Sequence, residues 1–477
     1  MKKVLVAGAA LMLVSGIASA AEVKPGVVIT GDARVRIGYT DEDYIGQNRF
    51  GNRTGYESQT NMDSRVRVNI AGTAAGGAYA KARLRMEGQS GDIDNDPGTT
   101  EAPINSQSNL WADMAYIGIP FNDTVTVELG RYRSTYGPLG ATYNFAYDDV
   151  SSYGGRGIIK FGDVEVNPFI EWAEEAQDGE YVSTTTYSTT APVTPTTVNR
   201  TEVANSDDDV MRYGVHAKAK INKDWTVGGM LGYQSDERRD TWNAAHTIQY
   251  FEPNEGMFGS VYVNGKVDAF GLVAELAFTD AELNNFNSWE TDTWSVTNTA
   301  TDLIGSQDTG FGGYVQPSYK IDKLTLAVNL GFTSNGYQPD RAFGSGVMIG
   351  SADNSRISAI RVGDFGDWLW GAFIASYQFN ESLKLTGNFV YADIDAWDTK
   401  GVNGDGPQTT SGSIATTTAT GINPGITGAW ELSAILQYTI SKGMDVYLSA
   451  GYLQPDTEEG IQDDGVFGAL SRFELKF

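Results

Sequence analysis

A closed antiparallel transmembrane β-barrel is the fold class this sequence predicts, and three observations predict it. The chain opens with an export signal. No apolar run long enough for a membrane helix follows it. The remainder reads as repeated segments of about 8–13 residues in which apolar and polar side chains alternate. A backbone that crosses a bilayer must pair every N–H and C=O group internally, so a chain without a spanning helix can cross only as a closed barrel. Alternation at period two puts one face of each strand on lipid and the other on a wet interior.

The signal comes first in the chain. Met1-Lys2-Lys3 is positive, Val4 to Ile17 is apolar, and Ala18-Ser19-Ala20 gives the small-x-small pattern of a cleavage site after Ala20. The apolar run is shorter than the roughly 20 residues of a bilayer-spanning helix. Without residues 1–20 the chain keeps 32 Lys and Arg against 60 Asp and Glu, a net charge of −28. That balance is the reverse of what a nucleic-acid binder needs. The chain has no cysteine, which excludes disulfides, covalent haem and thiolate metal sites.

The strands follow in order. In 33–39, Ala33, Val35, Ile37 and Tyr39 face lipid while Asp32, Arg34 and Arg36 face inward. In 64–71, Val66, Val68 and Ile70 alternate with Arg65, Arg67 and Asn69. After the turn Ala74-Ala75-Gly76-Gly77, Ala80, Ala82, Leu84 and Met86 alternate with Lys81, Arg83, Arg85 and Glu87. Further segments fall at 108–119, 124–132, 155–161, 164–174, 209–221, 225–235, 256–266, 270–280, 310–320, 324–333, 367–378, 383–393, 428–439, 443–453 and 466–477. The count is about eighteen strands, with sixteen as the alternative. Short links such as Asn222-Lys223-Asp224 and Asp322-Lys323 are turn chemistry and belong on the periplasmic side. Nine long polar links belong outside. Two of these are Thr-rich, Ser183 to Thr201 and Thr409 to Thr420, and Thr favours the extended backbone of a hairpin. Residues 21–477 read as one domain.

The inward positions carry the chemistry. Neighbouring strands lie about 4.8 Å apart, so Arg34, Arg36, Arg65, Arg67, Lys81, Arg83 and Arg85 form one basic wall. Fixed charge lining a channel selects which ions enter. The same arginines can also pair with Asp32, Glu87 and Glu128 and hold strands together. Asp92, Asp94 and Asp96 stand at the alternate positions of a Ca²⁺ loop, although Pro97 occupies the usual Gly place and Glu101 comes early. The two histidines, His216 on an inward face and His246 in a loop, have no nucleophile motif beside them.

Three features resemble the trimeric porins of Gram-negative outer membranes. The chain ends Ser471-Arg472-Phe473-Glu474-Leu475-Lys476-Phe477, alternating and closing on an aromatic ring. It opens with GDARVRIGY and SRVRVNI. Glu128-Leu129-Gly130-Arg131 precedes a long loop rich in Gly and aromatics, which lacks a Pro-Glu-Phe-Gly-Gly stretch. The resemblance implies an outer-membrane location, a homotrimer, and contact with lipopolysaccharide. It makes Phe473, Leu475 and Phe477 the signal read by the barrel-assembly machinery. It also implies that the loop 133–154 folds into the pore, where Asp148 and Asp149 would oppose the basic wall. The expected function is a water-filled channel for passive diffusion of ions and small hydrophilic solutes, with no cofactor beyond Ca²⁺ at the acidic loop. The alternative is a channel selective for oligosaccharides or small anions, with Tyr132, Tyr136, Tyr143, Phe145 and Tyr147 as a sugar slide. An outer-membrane enzyme or adhesin is a third reading.

Overall fold

The structure is a computed structural model. It describes residues 25–41, 59–90, 110–139, 144–147, 150–174, 180–187, 195–203, 210–236, 241–242, 248–249, 255–280, 283, 309–340, 343–350, 357, 359–363, 366–396, 426–457 and 465–477. The expected signal peptide, the acidic segment with Asp92, Asp94 and Asp96, and the pair Asp148 and Asp149 lie outside the described residues.

Eighteen strands form one antiparallel sheet. In chain order the strands begin β1 (Gly26–Thr40), β2 (Gln59–Thr73), β3 (Tyr79–Ser90), β4 (Leu110–Pro120), β5 (Val125–Ser134), β6 (Val150–Phe161) and β7 (Val164–Glu174). The Thr-rich segment then forms its own hairpin, β8 (Glu180–Tyr187) with β9 (Pro195–Val203), as its composition predicts. The barrel resumes with β10 (Val210–Lys220) and β11 (Trp225–Asp236), and a small pair, β12 (Thr241–Trp242) with β13 (Ile248–Gln249), sits in the next long link. It finishes with β14 (Gly256–Val267), β15 (Phe270–Thr279), β16 (Gly310–Ile321), β17 (Leu324–Ser334), β18 (Gly366–Gln378), β19 (Leu383–Ala396), β20 (Ile426–Ser441), β21 (Met444–Thr457) and β22 (Val466–Lys476). Pairing of β22 with β1 closes the barrel, so the sheet has no free edge. Each of the eighteen segments read from the sequence coincides with one barrel strand.

Short and long links alternate around the barrel. Three of the short ones share one device, an asparagine whose Oδ1 accepts the backbone N–H groups two and three residues on. Asn122, Asn222 and Asn380 do this at 2.8–3.0 Å. Such Asx turns satisfy donors the ladder cannot reach. In the two-residue links Asp268 and Asp322 take φ near 52°, a left-handed conformation that Asp tolerates better than most residues.

Outward positions are apolar and exposed: Leu330 and Phe332 on β17, Phe389 and Tyr391 on β19, and Phe473 and Leu475 on β22. Inward positions are mostly polar. Buried apolar side chains gather in three clusters among the described residues, around Phe145, Phe343 and Trp370, around Tyr136, Tyr147 and Phe169, and around Val347, Ile357 and Leu470.

Candidate functional site: a narrowed lumen

The register of β1, β2 and β3 fixes the basic wall. Arg34 stands opposite Arg65, Asp32 opposite Arg67, and Arg67 opposite Arg85. Cross-strand partners share a face, so these side chains project together into the barrel, opposite the lipid-exposed Ile37 and Met86. A bulge between Arg83 and Leu84 turns Asp113 of β4 toward the same wall.

Most of the wall is paired. Asp63 accepts from Arg36 at 2.9 Å and lies 3.9 Å from Arg34. Asp32 accepts from Arg67 at 2.9 Å and Arg65 at 3.3 Å. Asp113 takes Arg83 at 2.7 Å and Arg85 at 3.7 Å, and Arg85 also pairs with Glu87. Lys81 has no carboxylate partner among the described residues; its ammonium lies 5.1 Å from the Tyr79 ring and 5.9 Å from that of Tyr116. The expected strut with Glu128 is formed by a different arginine. Arg156 of β6 donates to Glu128 at 2.6 Å, and the Tyr79 hydroxyl donates to the same carboxylate.

The loop after β5 turns into the barrel. Within β5 itself, Gly130 has a φ of +125° that disfavours any side chain; an added Cβ would also meet the Ala115 carbonyl at 2.5 Å. Tyr136 lies flat on the His216 imidazole with ring centroids 4.9 Å apart, and on Phe169 at 5.0 Å. Burial, and next the nearby Glu171 carboxylate, push the Tyr147 hydroxyl well above its ordinary pKa. It therefore stays protonated and donates to Glu171 at 2.6 Å. Farther along, Asn264 of β14 donates to the Pro138 carbonyl at 2.7 Å. His216 is held between Asn167 and the Tyr262 hydroxyl, at 3.3 and 3.0 Å.

A second loop, between β17 and β18, also enters the barrel, and no local alternation or motif in its sequence points to this. Phe343, Val347, Met348, Ile349, Ile357 and Ile360 are buried there. Glu431 of β20 fastens it by accepting three successive backbone N–H groups, from Val347 and Ile349 at 2.6 Å and Met348 at 3.0 Å. The two loops meet at Phe145. Its carbonyl accepts the Asp340 N–H at 2.9 Å, and its ring stacks on Tyr337 at 5.3 Å.

The residues the sequence put forward therefore fall into three groups. The seven bases come together on one inner wall. Phe473, Leu475 and Phe477 lie on the opposite, lipid-facing side of the closing strand. Of the aromatics read as a sugar slide, Tyr143 lies outside the described residues, and Tyr132, Tyr136, Phe145 and Tyr147 are at most 2% exposed and serve as packing. What the reading missed was Asp63, Asp113, Arg133 and Arg156. Arg133 interacts electrostatically with Asp113 and with Arg83, Arg67 and Arg85. Asp63 was legible in principle, because it continues the inward alternation of Arg65 and Arg67 by one step.

Comparison with known proteins agrees with this geometry. The model of one protein family, described as Gram-negative porin, matches residues 7–363. No curated protein matches the chain. Among solved structures, the outer membrane protein OprD from Pseudomonas aeruginosa is similar at 10% identity and TM-score 0.50, over 94% of each chain. Pseudomonas aeruginosa OpdQ gives 11% and 0.47, over 94% of this chain and 98% of that one. Acinetobacter baumannii OccAB4 gives 12% and 0.44, over 96% and 99%. At 10% identity the OprD likeness is one of fold alone. An eighteen-stranded closed barrel with a polar interior and an apolar outer face, matched over most of its length by that family, is an outer-membrane channel for small solutes, and the chain belongs to the Gram-negative porin family.

Proposed function

We propose that the channel is water-filled and passive, needs no cofactor, and favours anions at its narrowing. One observation carries this reading: the charge count on the inner wall. Seven bases stand there against four carboxylates, Asp32, Asp63, Glu87 and Asp113, which leaves three positive charges in excess. Arg133 adds to them. Their field decays over about 8 Å at physiological salt, comparable to the radius of a constricted pore. Most acids of the chain fall outside β1–β3 in the sequence. Replacing Arg65, Arg67, Arg83 and Arg85 together by Gln is expected to shift the zero-current potential in a salt gradient toward cations. The shift should be larger at 0.1 M than at 1 M, where the screening length is only about 3 Å. A folded variant with unchanged selectivity would make these residues struts between strands and nothing more.

The assembly we propose is a homotrimer inserted by the barrel-assembly machinery among lipopolysaccharide. Family membership and barrel size support it. Mass measurement in mild detergent tests it, and a purely monomeric protein would refute it.

A further inference from the structure

We propose that the inner wall running from β15 to β22 carries a discrete binding subsite for small polyhydroxylated monocarboxylates, held by charge at one end and by hydrogen bonds along their hydroxyls. The proposal rests on the anion-favouring channel above and adds a saturable site to it. The site is a cavity of about 340 Å³ between β15–β22 and the roof made by Leu139 and Phe343–Ser345, and its Arg472 end stands beside Arg36 of the basic wall. That volume is at the small end of the range for small-molecule pockets.

Its chemistry is one-sided. Lys384 and Arg472 line it, and no carboxylate does. Arg472 is partly neutralised by Glu474 at 3.4 Å and stacks on Tyr447 at 3.9 Å. Lys384 has no recorded partner among the described residues, so its ammonium is the free charge of the site. Lys384, Thr386 and Asn388 are successive inward positions of β19, with Leu385 outward between them and Phe389 outward just beyond. They therefore present an ammonium, a hydroxyl and an amide along one line.

The Asn388 side chain is only 3% exposed, and its Nδ2 donates to nothing in the protein. A buried donor without an acceptor costs about 1–3 kcal/mol. An acceptor-rich solute in the cavity would recover that cost. The Tyr314 hydroxyl, equally buried, also lacks a partner. Two of the amide acceptors are already engaged: Gln316 accepts from Asn329, and Asn329 accepts from the Trp370 indole at 2.8 Å. A cation meets two bases and no carboxylate in the lining. A carboxylate with a chain of hydroxyl oxygens meets the Lys384 ammonium, then the Thr386 hydroxyl, which shares a hydrogen bond with Ser376 at 2.6 Å, then the unused N–H of Asn388.

The test is single-channel recording of the full-length protein in planar bilayers, titrated at constant ionic strength with gluconate, acetate or glucose. Gluconate is expected to reduce the current saturably, with an apparent affinity about tenfold or more above either of the others, the scale of one well-made charged hydrogen bond. Lys384→Gln should lower the gluconate affinity toward that of glucose. Asn388→Leu should lower it toward that of acetate; if that variant does not insert, Thr386→Val reads the same contact line. Acetate or glucose acting as strongly as gluconate would overturn the proposal. So would a current that falls only linearly with gluconate, or wild-type saturation in the inserted variants. The zero-current potential in the same membranes reports anion preference separately, so a missing subsite is distinguishable from a missing basic-wall effect.

Discussion

Deleting Phe477 is expected to reduce the folded protein in the outer membrane by at least about tenfold, because the last residue closes the barrel. The Gly31 N–H donates to the Phe477 carbonyl at 2.7 Å, and the Phe477 N–H donates to the Gly31 carbonyl at 3.0 Å. These two bonds complete the ladder between the first and last strands. In lipid, an unpaired backbone group costs several kcal/mol. The Phe477 ring lies over Gly31 so closely that a Cβ there would meet Cζ at 2.5 Å. Gly31→Val should therefore give a milder version of the same defect with the C-terminus intact. Assembled protein is measured by its resistance to SDS unless heated, in isolated outer membranes. Normal levels of folded barrel for the deletion would show that neither closure nor recognition depends on this ring.

The second large effect is expected at Glu431. Its carboxylate accepts three N–H groups from Val347, Met348 and Ile349, and no hydrogen-bond donor outside its own strand competes for those oxygens among the bonds described. Hydrogen bonds to a charged group contribute about 1.5–3 kcal/mol each, and losing the acceptor leaves three buried donors unsatisfied. Glu431→Ala should therefore free the inward loop. Single-channel conductance should rise and become noisy, because the loop occupies lumen cross-section. Glu431→Gln keeps one acceptor oxygen and should fall between. The same salt and voltage must be used for all three proteins. An alanine variant with wild-type conductance and a quiet trace would mean that the aromatic contacts of Phe145, Tyr337 and Phe343 hold the loop alone.

The barrel itself was legible in the sequence because its determinants are local. Alternation is written into neighbouring residues such as Arg65-Val66-Arg67-Val68, and lipid penalises the wrong phase by about 2–4 kcal/mol for an outward Arg at midplane. The turns were legible for the same reason. Asn222 reaches backbone donors two and three residues away, and Asp322 tolerates the left-handed conformation by itself. Even the basic wall follows from phase and strand order, since three consecutive hairpin-linked strands must be neighbours.

Which loops enter the barrel was not written locally. Asp340 bonds to Phe145, nearly two hundred positions earlier, and Ile349 to Glu431, 82 positions later. A loop folds inward when distant side chains satisfy its backbone donors, and no short window of sequence contains both partners. A weak signal existed in retrospect: Val347-Met348-Ile349 is too apolar for a solvated loop, and Glu431 sits inward on a strand with no basic partner. Pairing was also decided only in three dimensions. Register gave Asp63 to Arg34 and Arg36, and the bulge that sets Asp113 of β4 out of register gave it to Arg83. The sequence by itself thus determined the barrel and the sign of one wall, while the choice of eighteen strands over sixteen came with the closed sheet. Tertiary structure decided how much of that charge is compensated and which loops narrow the passage, because both depend on contacts between residues that only barrel closure brings within hydrogen-bond reach.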